Sequence, residues 1–541
     1  MLGIKGRKFR SHPSLTLEEL VPVHHFVRKL EARLDLEFVR DLVRECYSTQ
    51  GRPAIDPVVY FKLQLLMFFD GIRSERQLME QVNVNLAYRW YIGYDLDEAV
   101  PDHSALSRIR ERYGVSVFQK FFERIVELCM AAGLVWGKEL YFDGTRIEAN
   151  ADIDRLTPRF HWAIQQHLSS VFVVPETSDD VPEHARRLID KYDGTRIISP
   201  NTNAKYQRQA DTHVCPTDPD ATPLYSQPGH SRLGYNLHYV VDGGKSRIIL
   251  AALVTPAAIQ DQAPMLDLQR WARFRWQIHP DIAVADKKYG TLENIIGLET
   301  DGLRAYLGLP DHRHRKKLFS DEHFQYDADA DHYICPAGER LPHSSYDRQR
   351  DVHMYRTSRR ICQACPLKAQ CTTSSYARIV TRSSHQAYLD RVRIYQTTKA
   401  FKKAQRKRSV WVEPMFGEAK MWHNLRRFRL RGLMKVNIQG LPTAAGQNIK
   451  RLLAEKTCSH QPDPPRGPAL RAFCGISFML MATTITRFSC ESLPLADFFN
   501  RLKQNRTQRA FQRGRLLATQ FTRSETGLTS SADGAGPWSA A

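Results

Sequence analysis

Three acidic residues, far apart in the chain, stand in segments that predict rigid elements. Asp143 lies in LYFDGTRIEANA, which alternates apolar and polar residues like a β-strand, and Asp286 ends the short apolar segment DIAVAD. Glu413, in VWVEPMFGEAK, is followed by Pro414, and proline is typical of the first turn of a helix. Such positions hold a carboxylate firmly while leaving it open to solvent. For any one of the three, a solvated surface carboxylate is the ordinary alternative.

The chain as a whole is strongly basic. Its 541 residues include 78 lysines and arginines against 58 acidic residues, which gives a net charge of +20. This excess favours a polyanionic partner, and nucleic acid is the usual one, although a merely soluble basic protein has the same composition. The length exceeds one compact core and predicts two or three domains.

Carboxylates that bind divalent metal inside a positively charged protein indicate chemistry on phosphodiesters. Cleaving a phosphodiester needs an activated water and neutralisation of charge at the phosphorus, and two Mg²⁺ or Mn²⁺ ions supply both. These hard cations prefer oxygen ligands and few protein carboxylates. Asp143, Asp286 and Glu413 are therefore the candidate catalytic and metal-binding residues. Their spacing alone proves nothing, because only a fold can bring them together.

The first 120 residues predict an all-helical domain. Apolar residues recur at three-to-four spacing over 15–47, Pro57 follows Asp56 as at a helix start, and residues 74–82 resemble a second helix after a tight turn. The segment VPDHSALSRIRERYG adds a helix with three arginines close together. These features suit DNA binding, with an ordinary bundle carrying solvated arginines as the alternative. The candidate contacts here are Arg108, Arg110 and Arg112.

The pattern changes to strands from residue 137. KELYFDGTRIEA, YNLHYVVD (235–242), SRIILAALVT (246–255) and DIAVAD (281–286) read as strands, and a helical pattern precedes the last of them. This order predicts an α/β domain, a mixed sheet with flanking helices. Its first part spans 137–309, and helices over 396–456 complete it and carry the glutamate.

Residues 310–395 predict a small cysteine-rich insertion. They show little periodicity and too few apolar residues for a core, so a metal would be a reasonable staple. Cys335, Cys362, Cys365 and Cys371 have the spacing of a four-cysteine Zn²⁺ site. An iron–sulfur cluster and unliganded thiols are the alternatives, and His343 or His353 could replace one ligand.

The remaining residues, 457–541, predict a proline-rich linker followed by a basic tail. The start of the chain has no apolar segment of signal-peptide length, and the longest apolar stretch (473–485) falls short of the roughly 20 residues that span a bilayer. We therefore expect a cytoplasmic, nucleoid-associated protein without a membrane partner, in a compartment where disulfides are rare.

Positive charge concentrates around Glu413. Residues 401–435 carry eleven lysines and arginines, opposed only by Glu413 and Glu418, with aromatic residues between them. Basic residues neutralise phosphates and aromatic residues can stack on unpaired bases, although the aromatics could equally be core. The candidate DNA contacts are Arg408, Lys420, Arg426, Arg427, Arg429 and Arg431. Glu418 is the competitor of Glu413, but it lies five positions further on and projects to a different side of a helix.

These fragments, in this order, resemble the bacterial insertion-sequence transposases of the DDE class, most closely the insertion sequence 1182 type. The resemblance covers roughly residues 1–456. It is carried by GRPAIDPVVYFKLQLL, VPDHSALSRIRERYG, DGTRIEANAD, TDPDA, GYNLHYVVD, VTPAAIQD, ADKKYG, VEPMFGEAK and RRFRLRGL. Each fragment alone is weak, whereas the ordered series is specific.

The resemblance implies an RNase-H-like fold whose catalytic triad is Asp143, Asp286 and Glu413. It implies a homodimer on the terminal inverted repeats, nicking that frees a 3′ hydroxyl, and attack of that hydroxyl on target DNA. Related transposases place a tyrosine and an arginine before the glutamate and a lysine after it. Lys420 matches the lysine and Arg408 matches the arginine with a one-residue shift, but no tyrosine stands at the corresponding position.

Two other functions use the same residues. A catalytically idle, transposase-derived DNA-binding repressor would keep the basic surface and lose the chemistry, and the intact triad argues against it. A metal-dependent nuclease without strand transfer would share the carboxylates. Joining of a cleaved end separates a nuclease from a transposase.

Overall fold

The computed structural model describes residues 15–48, 54–172, 209–227, 230–309, 318–320 and 323–458. By compactness the chain divides into Met1–His460 and Gln461–Ala541, and the second unit lies outside the described residues. The predicted linker and basic tail over 457–541 also lie outside the described residues, apart from residues 457 and 458. No helix in the described ranges is long and apolar enough to cross a membrane.

The N-terminal region is helical, as predicted. Asp56 caps α4 by accepting a hydrogen bond from the Val58 amide at 2.9 Å, and Ser74 caps α5. Gly114, at φ +60°, kinks the long helix α7. The helices of this region are α1 (Leu17–Leu20), α2 (Phe26–Arg33), α3 (Phe38–Val43), α4 (Pro57–Phe69), α5 (Glu75–Val84), α6 (Leu86–Ile92) and α7 (His103–Ala131), with a 3₁₀ turn at Arg44–Cys46.

A mixed sheet follows, which confirms the α/β expectation. Its strands run in the spatial order β6–β5–β1–β7–β8, with β4 also paired to β5. Strands β4, β6 and β1 pair antiparallel with β5, while β7 and β8 run parallel to β1. The strands are β1 (Glu139–Glu148), β4 (Thr222–Gln227), β5 (His230–Asp242), β6 (Ile249–Pro256), β7 (Ile282–Ala285) and β8 (Arg304–Leu307), and the short pair β2 (Thr157–Pro158) and β3 (His213–Val214) lies apart from this sheet.

The third strand begins later than its sequence pattern predicts. β6 starts at Ile249 instead of residue 246, because a turn with Arg247 at φ +52° joins it to β5. The buried carboxylate of Asp242 holds this turn by accepting hydrogen bonds from the amides of Trp136, Gly137 and Gly244. An acidic residue that satisfies three backbone donors serves structure rather than chemistry.

Helices cover the sheet and complete the described unit. They are α8 (Arg159–Phe172), α9 (Gln209–Thr212), α10 (Met265–Trp276), α11 (Leu292–Thr300), α14 (Gln386–Thr397), α15 (Lys399–Trp411), α16 (Glu413–Met421) and α17 (Leu433–Cys458), with 3₁₀ turns at Ile153–Arg155 and Lys287–Tyr289. The last helix, α17, packs against both α7 and β6. Its buried Asn437 and Asn448 side chains bond the backbone of β6, which fixes α17 on the sheet.

Residues 325–383 form a second, five-stranded antiparallel sheet, so the expectation that this segment lacks a core is wrong. Phe324, Tyr333, Leu341, Tyr355 and Val380 make a small buried cluster within it. Hydrophobic alternation is masked here by histidine and tyrosine. The elements are β9 (Gln325–Asp327), β10 (His332–Ile334), β11 (Arg340–Asp347), β12 (Val352–Arg356), α12 (Arg359–Ala364), α13 (Lys368–Cys371) and β13 (Ile379–Ser383), with sheet order β13–β12–β11–β10–β9.

Candidate active site

The register of two parallel strands brings Asp143 beside Asp286. Tyr141 of β1 lies opposite Val284 of β7, and each aspartate stands two residues further along its own strand direction. Asp143 is inside β1, and Asp286 follows the last residue of β7. The carboxyl ends of parallel strands open at the same edge of a sheet. Residues 143 positions apart in sequence therefore meet at one level of the sheet.

Helix α15 brings the glutamate to the same edge. Gln405 donates hydrogen bonds to the carbonyl oxygens of Ala285 at 3.0 Å and Tyr306 at 2.8 Å, which fixes α15 across the ends of β7 and β8. Arg408, one turn later, bonds Asp143 at 3.0 Å and Glu413 at 3.2 Å. Glu413 is the first residue of α16 and its side chain is 55% exposed. The three predicted carboxylates thus share one site.

The electrostatics of Asp143 reflect this convergence. Burial raises the pKa of its carboxyl, Arg408 and the Gly144 amide oppose the rise, and the charges of Asp286 and Glu413 add to it, leaving the pKa at about 6. Burial is thus the largest cause of the raised pKa of Asp143, and its two acidic neighbours add to it although Arg408 lies beside them. A site of this kind favours a bound cation, since a cation nearby stabilises the ionised form of each carboxylate.

Two buried polar side chains lie behind Asp143, and the sequence interpretation missed both. A Cβ at position 144 would lie 3.1 Å from Nδ1 of His238 and 3.4 Å from the Tyr289 hydroxyl, so Gly144 leaves room for them. Burial lowers the pKa of His238 to about 4, with Asp261 opposing, so its imidazole is neutral at pH 7. Burial and then the charge of Asp143 hold the pKa of Tyr289 well above its ordinary value.

The sequence carries a partial signal for Tyr289 and none for His238. Tyr289 lies in ADKKYG three residues after Asp286, where a 3₁₀ turn brings it back under the sheet edge. His238 lies among apolar neighbours in β5, so nothing in the sequence distinguishes it from an ordinary strand residue. Its Nε2 pairs with the Thr255 hydroxyl at 2.8 Å, whereas Nδ1 has no partner among the described residues.

Glu418, the competitor of Glu413, lies elsewhere. It pairs with Lys450 at 2.5 Å and Arg451 at 3.2 Å, both on α17, and with His423 at 3.6 Å. Burial alone would raise the pKa of this carboxyl, but the cations outweigh it and hold the pKa well below its usual range. Glu418 ties α16 to α17, which leaves Glu413 as the glutamate that reaches the aspartates.

The predicted basic residues separate into two groups. Arg110 and Arg429 both pair with Glu75, which is buried between them, so they join the N-terminal helices to the segment after α16. Arg108, Arg112, Arg426, Arg427 and Arg431 are exposed. Lys420 is half-buried, and burial followed by the charge of Arg426 lowers its pKa.

The segment after α16 runs beside the end of β1. Arg427 and Glu148 form a parallel bridge, and Arg431 donates to the Asn150 carbonyl oxygen at 2.8 Å. Trp422 is 74% exposed, whereas Phe416 is buried and stacks on Tyr239 with ring centroids 4.8 Å apart. Phe416 is therefore a core residue, and the basic segment presents one large exposed aromatic ring.

The four cysteines of the second sheet lie near one another. Burial raises the pKa of the Cys371 thiol, Arg378 opposes, and Cys362, Cys335 and Cys365 raise it further. Cys335 and Cys371 pack against the same small core. The two histidines considered as substitutes face each other instead, with Nε2 of His343 3.1 Å from Nδ1 of His353. Within the described ranges no three His, Cys, Asp or Glu side chains are arranged to hold a metal ion.

Comparison with known families gives two matches. Residues 15–112 match the family described as Transposase domain (DUF772), and residues 334–453 match the family described as Transposase DDE domain. Together they support a DNA transposase of the DDE class. Glu413 lies inside the second match, whereas Asp143 and Asp286 lie outside both.

Other comparisons add little. No curated protein matches the chain. Among solved structures, a piggyBac transposase synaptic complex with hairpin DNA aligns over 86% of this chain and 88% of its own, at 8% identity and a TM-score of 0.27. A likeness at that level carries no argument.

Proposed function

We propose that the chain is an insertion sequence 1182-type DDE transposase. It binds the terminal inverted repeats of its element, nicks the DNA ends and joins the freed 3′ hydroxyls to target DNA. The observation that carries the proposal is the convergence of Asp143, Asp286 and Glu413 on one sheet edge, with Arg408 between two of them.

The strand arrangement supports an RNase-H-like catalytic fold for this enzyme. Renumbered along the chain, the five strands β1, β5, β6, β7 and β8 have the spatial order 3-2-1-4-5, with the first three antiparallel and the last two parallel to the first. The aspartates stand on the first and fourth of them, which are adjacent. The second sheet, 325–383, then interrupts the domain before the glutamate helix.

The donor set fits a hard divalent cation such as Mg²⁺ or Mn²⁺. All three candidate ligands are carboxylates, and the charges of Asp286 and Glu413 act on the buried Asp143 where such an ion would sit. Two bound ions would activate the attacking oxygen and neutralise charge at the phosphorus. The aspartates, on adjacent strands, would keep a fixed spacing, while the exposed Glu413 adjusts at the start of α16.

The exposed basic residues supply the DNA surface of the proposal. Arg426, Arg427 and Arg431 follow the catalytic helix, and Lys420 lies on α16 seven residues after Glu413. Contacts to backbone phosphates give affinity that falls with salt. Arg108 and Arg112 on α7 would contact the same or a neighbouring duplex, and two copies of the chain would pair the two ends of the element.

A structural Zn²⁺ in the second sheet is a separate proposal. The Gly338 amide bonds the Cys335 carbonyl oxygen at 2.8 Å with Gly338 at φ +83°, a tight turn that leaves the thiol free. Cys362 lies inside α12, Cys365 caps its C-terminal end, and Cys371 ends α13. The four thiols are soft donors near one another, which suits Zn²⁺.

The zinc proposal is tested by metal content. Purified chain should carry about one zinc per molecule by elemental analysis, as one four-cysteine site holds one ion. Cys335→Ser and Cys371→Ser should lose it, and the matched Cys46→Ser, outside the cluster, should keep it. Iron in place of zinc, or no metal in freshly purified wild type, would reject zinc.

The transposase proposal is tested by cutting and joining. Purified chain is incubated with Mg²⁺ and the element's end sequences, and nicks and joined products are resolved on gels. Asp143→Asn, Asp286→Asn and Glu413→Gln should abolish both steps while still binding the ends, and Asp329→Asn, an exposed carboxylate on the second sheet, should retain both. Nicks without joining would indicate the nuclease, and binding without nicks would indicate the repressor.

A further inference from the structure

The guanidinium of Arg408 lies in the midst of the acidic site. It donates to Oδ2 of Asp143 at 3.0 Å and to Oε1 of Glu413 at 3.2 Å, so one side chain spans two of the three carboxylates. The Arg408 side chain is only 14% exposed, and its Nε is buried without a hydrogen-bond partner among the described residues. Only the two terminal nitrogens are engaged, and both on candidate metal ligands.

Two neighbouring cations are committed elsewhere. Lys407, next in sequence, pairs with Glu139 at 2.5 Å, and Lys288, two residues after Asp286, pairs with Asp261 at 3.0 Å. Arg408 is the basic side chain that bonds two members of the triad directly. One positive charge facing three carboxylates leaves a site that would still attract a divalent ion.

We infer that Arg408 occupies, in the metal-free chain, the place between Asp143 and Glu413 that a divalent cation takes on loading. This inference rests on the proposed metal-dependent function. A metal ion must break both Arg408 contacts before it can use those two oxygens, so Arg408 lowers the affinity of the free chain for metal. The same contacts keep the carboxylates together, which makes Arg408 a positioning residue in the resting state.

Displacement also gives Arg408 a second partner. A guanidinium released beside the triad is placed to bind a backbone phosphate, because its planar fork matches phosphate oxygens. Binding DNA would then hold Arg408 away from the carboxylates and strengthen metal binding. By linkage, metal would strengthen DNA binding by the same factor. The arginine thus couples loading of metal to the presence of substrate.

The test measures Mn²⁺ binding to the full chain without DNA, by the loss of the free-ion signal in electron paramagnetic resonance. Arg408→Gln removes both contacts and should lower the Kd for Mn²⁺ at least about tenfold, since one displaced charge-assisted contact of about 1.4 kcal/mol corresponds to tenfold. Arg408→Lys keeps the charge but cannot span both carboxylates, and should fall between Arg408→Gln and wild type. Lys407→Gln is the matched control for loss of one nearby charge and should stay within about threefold of wild type.

A short DNA duplex carrying the element's end should tighten Mn²⁺ binding to wild type more than to Arg408→Gln, because the phosphates can contact the ion in both chains but only wild type also has an arginine to displace. Without DNA, equal Mn²⁺ affinity in wild type and both Arg408 variants would overturn the inference. A fall in Kd for Lys407→Gln as large as that for Arg408→Gln would overturn it too. If no chain binds Mn²⁺, or if Mn²⁺ binds equally to wild type and Asp286→Asn, the proposed metal site itself fails. That result differs from the first, in which Mn²⁺ binds but Arg408 does not compete.

Discussion

Replacing Glu418 with glutamine should weaken the fold strongly and disable the site indirectly. The Glu418 carboxylate is 17% exposed and contacts Lys450 at 2.5 Å, Arg451 at 3.2 Å and the Gln447 amide at 3.1 Å. Glutamine keeps the shape and removes the charge, which leaves the largely buried Arg451 without its counter-ion. Removing one partner from a buried ion pair costs about 3–5 kcal/mol, and residual solvent access points to about 3.

The pH dependence of this effect has a defined sign. The pKa of Glu418 in the folded chain lies below its ordinary value, so its stabilisation is present above the unfolded-state pKa of about 4.5 and is lost as pH falls toward the folded pKa. The difference in unfolding free energy between wild type and Glu418→Gln should therefore be full at pH 7 and shrink below about pH 4.5.

Hydrogen exchange followed by mass spectrometry is the suitable assay, because it reads local opening without assuming two-state unfolding of a large chain. Amides of α16 and the second half of α17 should exchange roughly 100-fold faster at pH 7 in the variant, since 1.4 kcal/mol corresponds to tenfold. Glu339→Gln, an exposed acid on the second sheet, is the control. Unchanged exchange in α16 would refute the assignment of Glu418 as the tie between the helices.

Three further outcomes are expected. Asp143→Asn should stabilise the metal-free chain at pH 7.5 by about 2 kcal/mol, because a carboxyl whose pKa is raised to about 6 destabilises the fold above that pH; a lower unfolding temperature in differential scanning fluorimetry would contradict this. Mn²⁺ binding to the wild-type chain should weaken as pH falls through about 6, where Asp143 of the metal-free chain becomes protonated, and a binding profile flat to pH 5 would argue against its role as ligand. Glu75→Gln should lower the unfolding free energy by about 3 kcal/mol by leaving Arg110 and Arg429 without their shared carboxylate, whereas loss of DNA affinity without loss of stability would return both arginines to the DNA surface.

Much of the site could be predicted from the sequence, because local pattern determines where a strand ends or a helix begins. Asp143 and Asp286 were placed from alternation and Glu413 from the proline after it, and all three stand at those element positions. Their convergence could not be derived from spacing, since it depends on the parallel register of β1 with β7 and on Gln405 fixing α15. Side-chain partners were also out of reach: Arg110 and Arg429 read as surface charge until Glu75 is seen between them.

The second sheet shows a different limit. Short strands rich in histidine, tyrosine and arginine do not alternate by hydrophobicity, so the segment reads as irregular although it folds. Tyrosines supply the missing apolar area, since Tyr333 and Tyr355 are buried with ring centroids 5.1 Å apart. The Tyr355 hydroxyl donates a hydrogen bond to the Asp331 carboxylate. An aromatic ring with a polar end counts as polar in a pattern and as core in a structure.

Helix α16, which begins with Glu413, is held on two sides, and these contacts would transmit a movement of the N-terminal helices to the active site. Glu418 ties α16 to α17. The loop that follows is tied to the N-terminal helices, where the His423 ring stacks on Phe68 at 3.7 Å and Asn424 bonds the carbonyl oxygen of Gly71. Gly71 cannot be replaced there, since its φ is +61° and a Cβ would lie 2.9 Å from the Trp422 carbonyl oxygen. A shift of the N-terminal helices on DNA would therefore move the segment that follows Glu413, and the Arg408–Glu413 bond joins α15 to the first residue of the helix that would move.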